Sequence, residues 1–113
     1  MDKNCIFCKI IAGQIPSEKL YEDEDMIIIK DIAPQAPVHL LMIPREHYES
    51  VGSMTEAQAV TFGKCVKKLS DFAADAGIES FRIISNKGPD ACQSVMHLHV
   101  HLLAGKQLGD KMG

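Results

Sequence analysis

Val95-Met96-His97-Leu98-His99-Val100-His101-Leu102-Leu103 is the stretch on which the reading of this chain turns. Apolar and imidazole side chains alternate along it, the period of a β-strand with one packed face. On such a strand Met96, Leu98, Val100 and Leu102 point one way, onto helices, and His97, His99 and His101 point the other. Adjacent histidines then lie about 6.5–7 Å apart at Cα and the outer two about 13 Å. One metal can take two imidazoles at that spacing and can hardly take three. A solvated strand face ordinarily mixes Lys, Thr and Glu rather than repeating imidazole. Imidazole titrates near neutrality, ligates metals and acts as a nucleophile or proton shuttle. Next to the small, polar loop 86–94 (NKGPDACQS), three of them read as a reaction centre for an anion.

Working outward, residues 80–85 (SFRIIS) read as a strand preceding that loop. Residues 55–76 form the one long helix. Thr55 with Gln58 three positions on is a capping box. Val60, Phe62, Val66, Leu69, Phe72, Ala73 and Ala76 recur at helical spacing beside Cys65, while Lys64, Lys67, Lys68, Asp71 and Asp75 take the wet side and Gly77 closes the helix. Before it, residues 17–22, 25–30 (DMIIIK) and 38–43 (VHLLMI) read as strands. The loop 31–37 (DIAPQAP) carries two prolines that defeat both helix and sheet ladders. Residues 5–12 (CIFCKIIA) fit one face of a short helix stopped by Gly13. The order is short helix, three strands, long helix, two strands. It predicts an α+β fold with an antiparallel five-stranded sheet and helices on one face.

The chain has 113 residues, 46% hydrophobic and 24% charged, the profile of one folded domain over 1–113. A net charge of −3 argues against a broad basic surface for nucleic acid or anionic membrane. A small phosphate pocket needs only a few aimed donors and stays open. No apolar run approaches 18 residues and no signal peptide is visible, so a membrane span is not expected and a cytoplasmic, reducing setting is. Of the four cysteines, Cys65 reads as a buried apolar group and Cys92, in a polar loop, is ambiguous. Cys5 and Cys8 form a Cys-x-x-Cys pair, a weak signal alone. A thioredoxin-like pair would follow a strand, and none precedes Cys5.

His97-Leu-His99-Val-His101-Leu-Leu103 resembles the His-φ-His-φ-His-φ-φ signature of the histidine triad (HIT) nucleotide hydrolases and transferases. Phe7-Cys8-Lys9-Ile10-Ile11, Tyr21-Glu22-Asp23, Asp31-Ile32-Ala33-Pro34-Gln35-Ala36-Pro37-Val38-His39, Ile43-Pro44 and Gln93-Ser94-Val95 resemble the Hint branch in order and spacing, so the likeness covers most of the chain. The resemblance implies hydrolysis of nucleoside 5′-monophosphate derivatives, typically adenosine phosphoramidates, at the α-phosphorus. His99 would be the nucleophile, forming a covalent nucleotidyl-histidine, with its other ring nitrogen donating to a backbone carbonyl. His101 would bond the phosphate oxygens. Ser94 would contact the phosphate and help protonate the leaving amine. Asn86 and the backbone N–H groups of Cys92, Gln93 and Ser94 would hold the phosphoryl oxygens, with no catalytic metal required. Asp31 would accept from the ribose hydroxyls, with Ile32 beside it; on its own, Asp31 reads equally as a loop Asp making an Asx-turn. Ile6, Phe7, Ile10 and Ile29 would line a purine base pocket, though without the resemblance core packing is the better reading. His39 would stand behind the triad.

The resemblance further implies a structural zinc on Cys5, Cys8, His47 (Pro44-Arg-Glu-His47) and His97, a closed Cys₂His₂ set. It implies a homodimer with one continuous sheet, paired through the long helix and an edge strand. Three features depart from the Hint pattern: Asp90-Ala91-Cys92 stands where small glycines are expected, the tail at 109–113 lacks an aromatic ending, and Met96 replaces an aromatic, which should matter only for packing. Competing readings are a diadenosine polyphosphate hydrolase of the Fhit kind, a noncatalytic nucleotide- or zinc-binding interaction protein, and a zinc hydrolase using His97 and His99 as paired ligands.

Overall fold

A computed structural model of the chain describes residues 4–111. The elements are α1 (Ile6–Ile11), β1 (Lys19–Glu22), β2 (Met26–Lys30), β3 (Val38–Pro44), α2 (Glu56–Asp75), β4 (Arg82–Ile84), a 3₁₀ turn (Pro89–Ala91) and β5 (Val100–Ala104). The five strands form one sheet in the order β1-β2-β3-β5-β4, and every neighbouring pair is antiparallel. The α+β architecture and element order agree with the sequence reading. β1 and β4 are shorter than expected, and Pro44 ends β3 opposite Met26.

The helices do not share a face, which corrects one expectation. On one side Cys65, Leu69 and Ala73 of α2 pack on Met26, Ile28, Leu40, Met42, Leu98, Val100 and Leu102. On the other, Cys5, Phe7, Cys8 and Ile10 around α1 pack on Ile27, Ile29, Leu41 and Ile43. The unbroken apolar run of β2 has this cause: a strand covered on both faces cannot alternate. The sequence order is silent on which face a short helix takes.

α2 begins with both halves of the capping box, Gln58 N–H to Thr55 Oγ1 at 3.1 Å and Thr55 N–H to Gln58 Oε1 at 2.8 Å. It ends in a Schellman motif: Gly77 has φ +79°, its N–H donates to Ala74 O, and Ile78 N–H donates to Ala73 O. The buried stripe is narrower than the periodicity suggests. Val60 is 61% exposed, because five residues before Cys65 it lies about 140° round the helix. Lys68 is not on the wet side. It folds over to Asp23 and Asp25, 2.8 and 2.9 Å away, and clamps α2 to the β1–β2 turn.

The histidine stretch is also corrected. β5 starts only at Val100, and residues 95–97 form a bend. Leu98 is held by its N–H on Tyr48 O at 2.7 Å. Leu98, Val100 and Leu102 enter the α2 core as expected, but Met96 is exposed. The bend leaves His97 and His99 off the ladder.

Candidate active site and metal centre

His97 is fully buried and its two ring nitrogens have different partners. Nε2 lies 2.7 Å from the carbonyl of Pro44 and must donate to it. Nδ1 therefore carries a lone pair. It faces Cys5 Sγ at 3.4 Å, Cys8 Sγ at 3.5 Å and His47 Nδ1 at 3.1 Å, while His47 Nδ1 is 3.3 Å from Cys8 Sγ. All four donor atoms lie within 4.8 Å of one another. Ligand bonds of 2.0–2.3 Å in a tetrahedron space the donor atoms roughly 3.3–3.8 Å apart, so the set could hold a metal ion. Burial pushes the His97 imidazole down to about 4, helped by His47 and His99 against the Pro44 bond. Neutral imidazole is the ligating form, and the Pro44 carbonyl orients it as outer-shell acceptors do. α1 supplies this centre because Cys5 is its N-cap, its sulfur accepting from Cys8 N–H at 3.3 Å.

His99 is buried beside it. Its Nδ1 lies 2.8 Å from the carbonyl of His97. A carbonyl only accepts, so Nδ1 holds the proton and Nε2 is left with a lone pair. This is the backbone contact expected of a nucleophile. Phe7 meets the His99 ring edge-on at 5.0 Å and the His97 ring at 6.0 Å. His101 sits 5.0 Å from His99 between ring centres. Burial, with His99 and His39 adding to it against Asp31, pushes His101 down to about 4. His39 approaches from β3, Nε2 to His101 Nδ1 at 2.8 Å. Asp31 makes the Asx-turn that its loop position suggests. Oδ1 accepts from Ala33 N–H at 2.8 Å in an Asx-turn, and Oδ2 lies 3.3 Å from His39 Nε2.

His99 and His101 open onto a cavity of about 390 Å³. Ile6, Phe7, Ile10, Ile29 and Ile32 line it, as do Asp31 and Ser94. Ile6 and Ile32 are exposed on its rim, Ile32 completely. Ile15, Pro16, Ser17 and Leu41 line it too and were missed. Gly13, with φ +77°, turns the chain back after α1; a sequence shows such a turn but not what lies under it.

The loop after β4 departs from expectation. Asn86 and Cys92 border a different cavity, with Ile84 and Asp90. Cys92 N–H donates to Pro89 O at 3.0 Å and Gln93 N–H to Gly88 O at 3.1 Å. Those two amides are spent within the turn, which leaves the Ser94 amide of the three expected to receive phosphate. The Gln93 side chain braces the loop instead, accepting from Gly88 N–H and donating to Glu49 O and Val95 O.

The family model described as "Scavenger mRNA decapping enzyme C-term binding" matches residues 4–113. A solved structure of a HIT family hydrolase from Clostridium thermocellum superposes with a TM-score of 0.94 at 46% identity, covering 99% of each chain. The adenylylsulfatase HINT1 of Arabidopsis thaliana is 40% identical over 95% of this chain and 75% of its own length. A 14 kDa zinc-binding protein of Brassica juncea is 42% identical over 91% of this chain and 94% of its own. With His99 and His101 on one cavity and His97 buried beside them in the four-donor cluster, this chain belongs to the histidine triad family and is one of its hydrolases.

Proposed function

We propose that the protein hydrolyses nucleoside 5′-monophosphate derivatives, adenosine phosphoramidates above all, at the α-phosphorus through a covalent nucleotidyl-His99. The observation that carries this is the His99 Nδ1–His97 carbonyl bond at 2.8 Å, which turns a neutral Nε2 lone pair toward the cavity. Nε2 attacks phosphorus, the P–N bond of the substrate breaks, and the amine leaves with a proton passed by Ser94 Oγ–H and replaced from water. The positive charge gained by the ring is spread toward Nδ1–H and its carbonyl. Water then forms a P–O bond, the P–Nε2 bond breaks, and one proton goes to solvent. His101 donates to a phosphoryl oxygen, as does the Ser94 amide. The base lies among Ile6, Phe7, Ile10, Ile29 and Ile32, and the ribose hydroxyls reach Asp31.

Cys5, Cys8, His47 and His97 would hold zinc. A closed set of four leaves no position for water, so the ion would fix α1 to the His97 segment and no chemical step passes through it. Exposed Val60 on α2 and Ile83 on edge strand β4 suit pairing of two copies into one sheet. No disulfide joins Cys5, Cys8, Cys65 or Cys92 among the described residues, which suits a cytoplasmic setting.

A second leaving group is favoured by the Arabidopsis relative, whose name describes cleavage of adenylyl sulfate. The same attack would expel sulfate. The test is turnover of adenosine 5′-phosphoramidate and of adenylyl sulfate by wild type and His99→Gly, with mass spectrometry for an AMP adduct. Wild type should turn over at least one and trap the adduct on His99. Normal turnover by His99→Gly would sink the assignment.

A further inference from the structure

We propose that His39 is a positioning residue that holds the single proton of His101 on Nε2, and that the fixed end of this relay is the main-chain N–H of Gln35. The inference rests on the reaction proposed above and specifies the protonation of one of its groups.

A main-chain N–H can only donate. Gln35 N lies 3.0 Å from His39 Nδ1, so that ring nitrogen carries a lone pair. A neutral imidazole has one N–H, which places the His39 proton on Nε2. Two acceptors stand before it, His101 Nδ1 at 2.8 Å and Asp31 Oδ2 at 3.3 Å. The shorter bond runs to His101. Its Nδ1 therefore accepts, and its own proton sits on Nε2, the nitrogen left for the cavity. The direction of the whole chain is set by a group that cannot reverse.

The Gln35 amide is itself fixed. It lies between Pro34 and Pro37, whose rings restrict the loop. The loop is closed at its base by Asp31 N–H on His39 O at 3.0 Å, and within it Gln35 Nε2 donates to Ala33 O at 3.0 Å. The Pro-Gln-Ala-Pro stretch thus has a chemical task besides breaking secondary structure. The same polarity decides two further points. The Asp31–His39 approach is not an ion pair, because an imidazolium would need a proton where the Gln35 N–H points. Asp31, His39 and His101 cluster within 4.8 Å yet are a poor metal site, because the near nitrogen of His39 bears hydrogen.

The consequence falls on the reaction. His99 and His101 are neighbouring neutral rings locked in opposite senses. His99 offers a lone pair, the requirement for attack on phosphorus. His101 offers N–H, the requirement for a phosphoryl oxygen gaining charge. Were the His101 proton on Nδ1, a nitrogen lone pair would meet an oxygen lone pair and oppose the transition state.

The experiment uses the full chain labelled with ¹⁵N-histidine. Long-range ¹H–¹⁵N correlation of each ring at neutral pH should find His39 and His101 protonated on Nε2 in the wild type. His39→Gln keeps an N–H donor at similar reach and should keep that His101 tautomer and kcat for adenosine 5′-phosphoramidate within about fivefold. His39→Leu removes the donor. It should give mixed His101 tautomers and a kcat lower by about tenfold or more, with KM changed less than about threefold. A wild-type His101 protonated on Nδ1, or an unchanged tautomer in His39→Leu, overturns the proposal. If His39→Leu does not fold, loss of the Nε2–H tautomer in His39→Gln overturns it and retention supports it. A wild type with the expected tautomers and no turnover supports the relay and overturns the reaction reading alone.

Discussion

At the scale of single residues, the proposed chemistry requires neutral imidazole at His101. His101 is pushed to about 4 in the fold, chiefly by burial, against an ordinary value near 6.5 in the unfolded chain. Between those values the unfolded chain binds a proton that the folded one does not. The stability this group allows is therefore fully present above about pH 6.5 and is lost as the pH falls toward 4. Urea unfolding at pH 7 and pH 4.5 should show this loss, and His101→Gln should lose about 2–3 kcal/mol less over the same interval. Equal acid sensitivity of the two proteins would refute the burial argument. Cys92 presents a different residue-scale strain. It has φ +62°, where an L side chain costs about 1 kcal/mol and glycine costs little. Cys92→Gly should raise the urea midpoint by up to about 1 kcal/mol of stability, and Cys92→Ala, which keeps Cβ, should not. A loss in Cys92→Gly would mean that the thiol contributes packing that outweighs the strain.

At the scale of elements, what could be read ahead of the structure was whatever periodicity and capping dictate. The Thr55–Gln58 box, the Gly77 stop and the doubly buried β2 run are local rules written in local residues. The expectations that failed depend on distant partners. The histidine alternation looks like a strand along its length, but His97 is drawn out of the ladder by the Pro44 carbonyl and the Cys5–Cys8 pair. No local pattern shows that pull. The resemblance gives the Gln93 main-chain N–H a phosphoryl oxygen, but that N–H donates to Gly88 O. Its side chain is the buried brace of the loop 88–93, and that amide group has one orientation that works. Oε1 accepts from Gly88 N–H at 2.9 Å while Nε2 donates to Glu49 O at 2.7 Å. Gln93→Glu keeps the shape but sets an oxygen against the Glu49 carbonyl. It should cost about 1–3 kcal/mol, read as a lower urea midpoint with the Nε2-protonated tautomer of His101 intact. An unchanged midpoint would show that the loop does not need the brace.

At the scale of the whole molecule, the sheet has two faces of unequal self-sufficiency. One carries the 20-residue α2, capped at both ends and clamped by Lys68. The other carries α1, six residues long, and an isolated helix of that length is not stable in water. Phe7 and Ile10 hold it to the sheet, yet it also supplies Cys5 and Cys8 to the four-donor cluster, Phe7 to the His99 ring, and Ile6 to the cavity rim. A metal on Cys5, Cys8, His47 and His97 would tie three separate segments together and offset what α1 lacks. Removing metal with a chelator should therefore act on one face. Amide hydrogen exchange should speed up about tenfold or more across residues 5–12, while α2 and strands β2 and β3 keep their protection. The melting temperature should fall by several degrees. His99 sits against both Phe7 and the His97 carbonyl, so loosening α1 also loosens the proposed nucleophile, and turnover should decline in step with the exchange at α1. Uniform acceleration over both faces would instead mean that the cluster supports the global fold. Unchanged exchange at α1 would mean that apolar packing alone holds the helix in place.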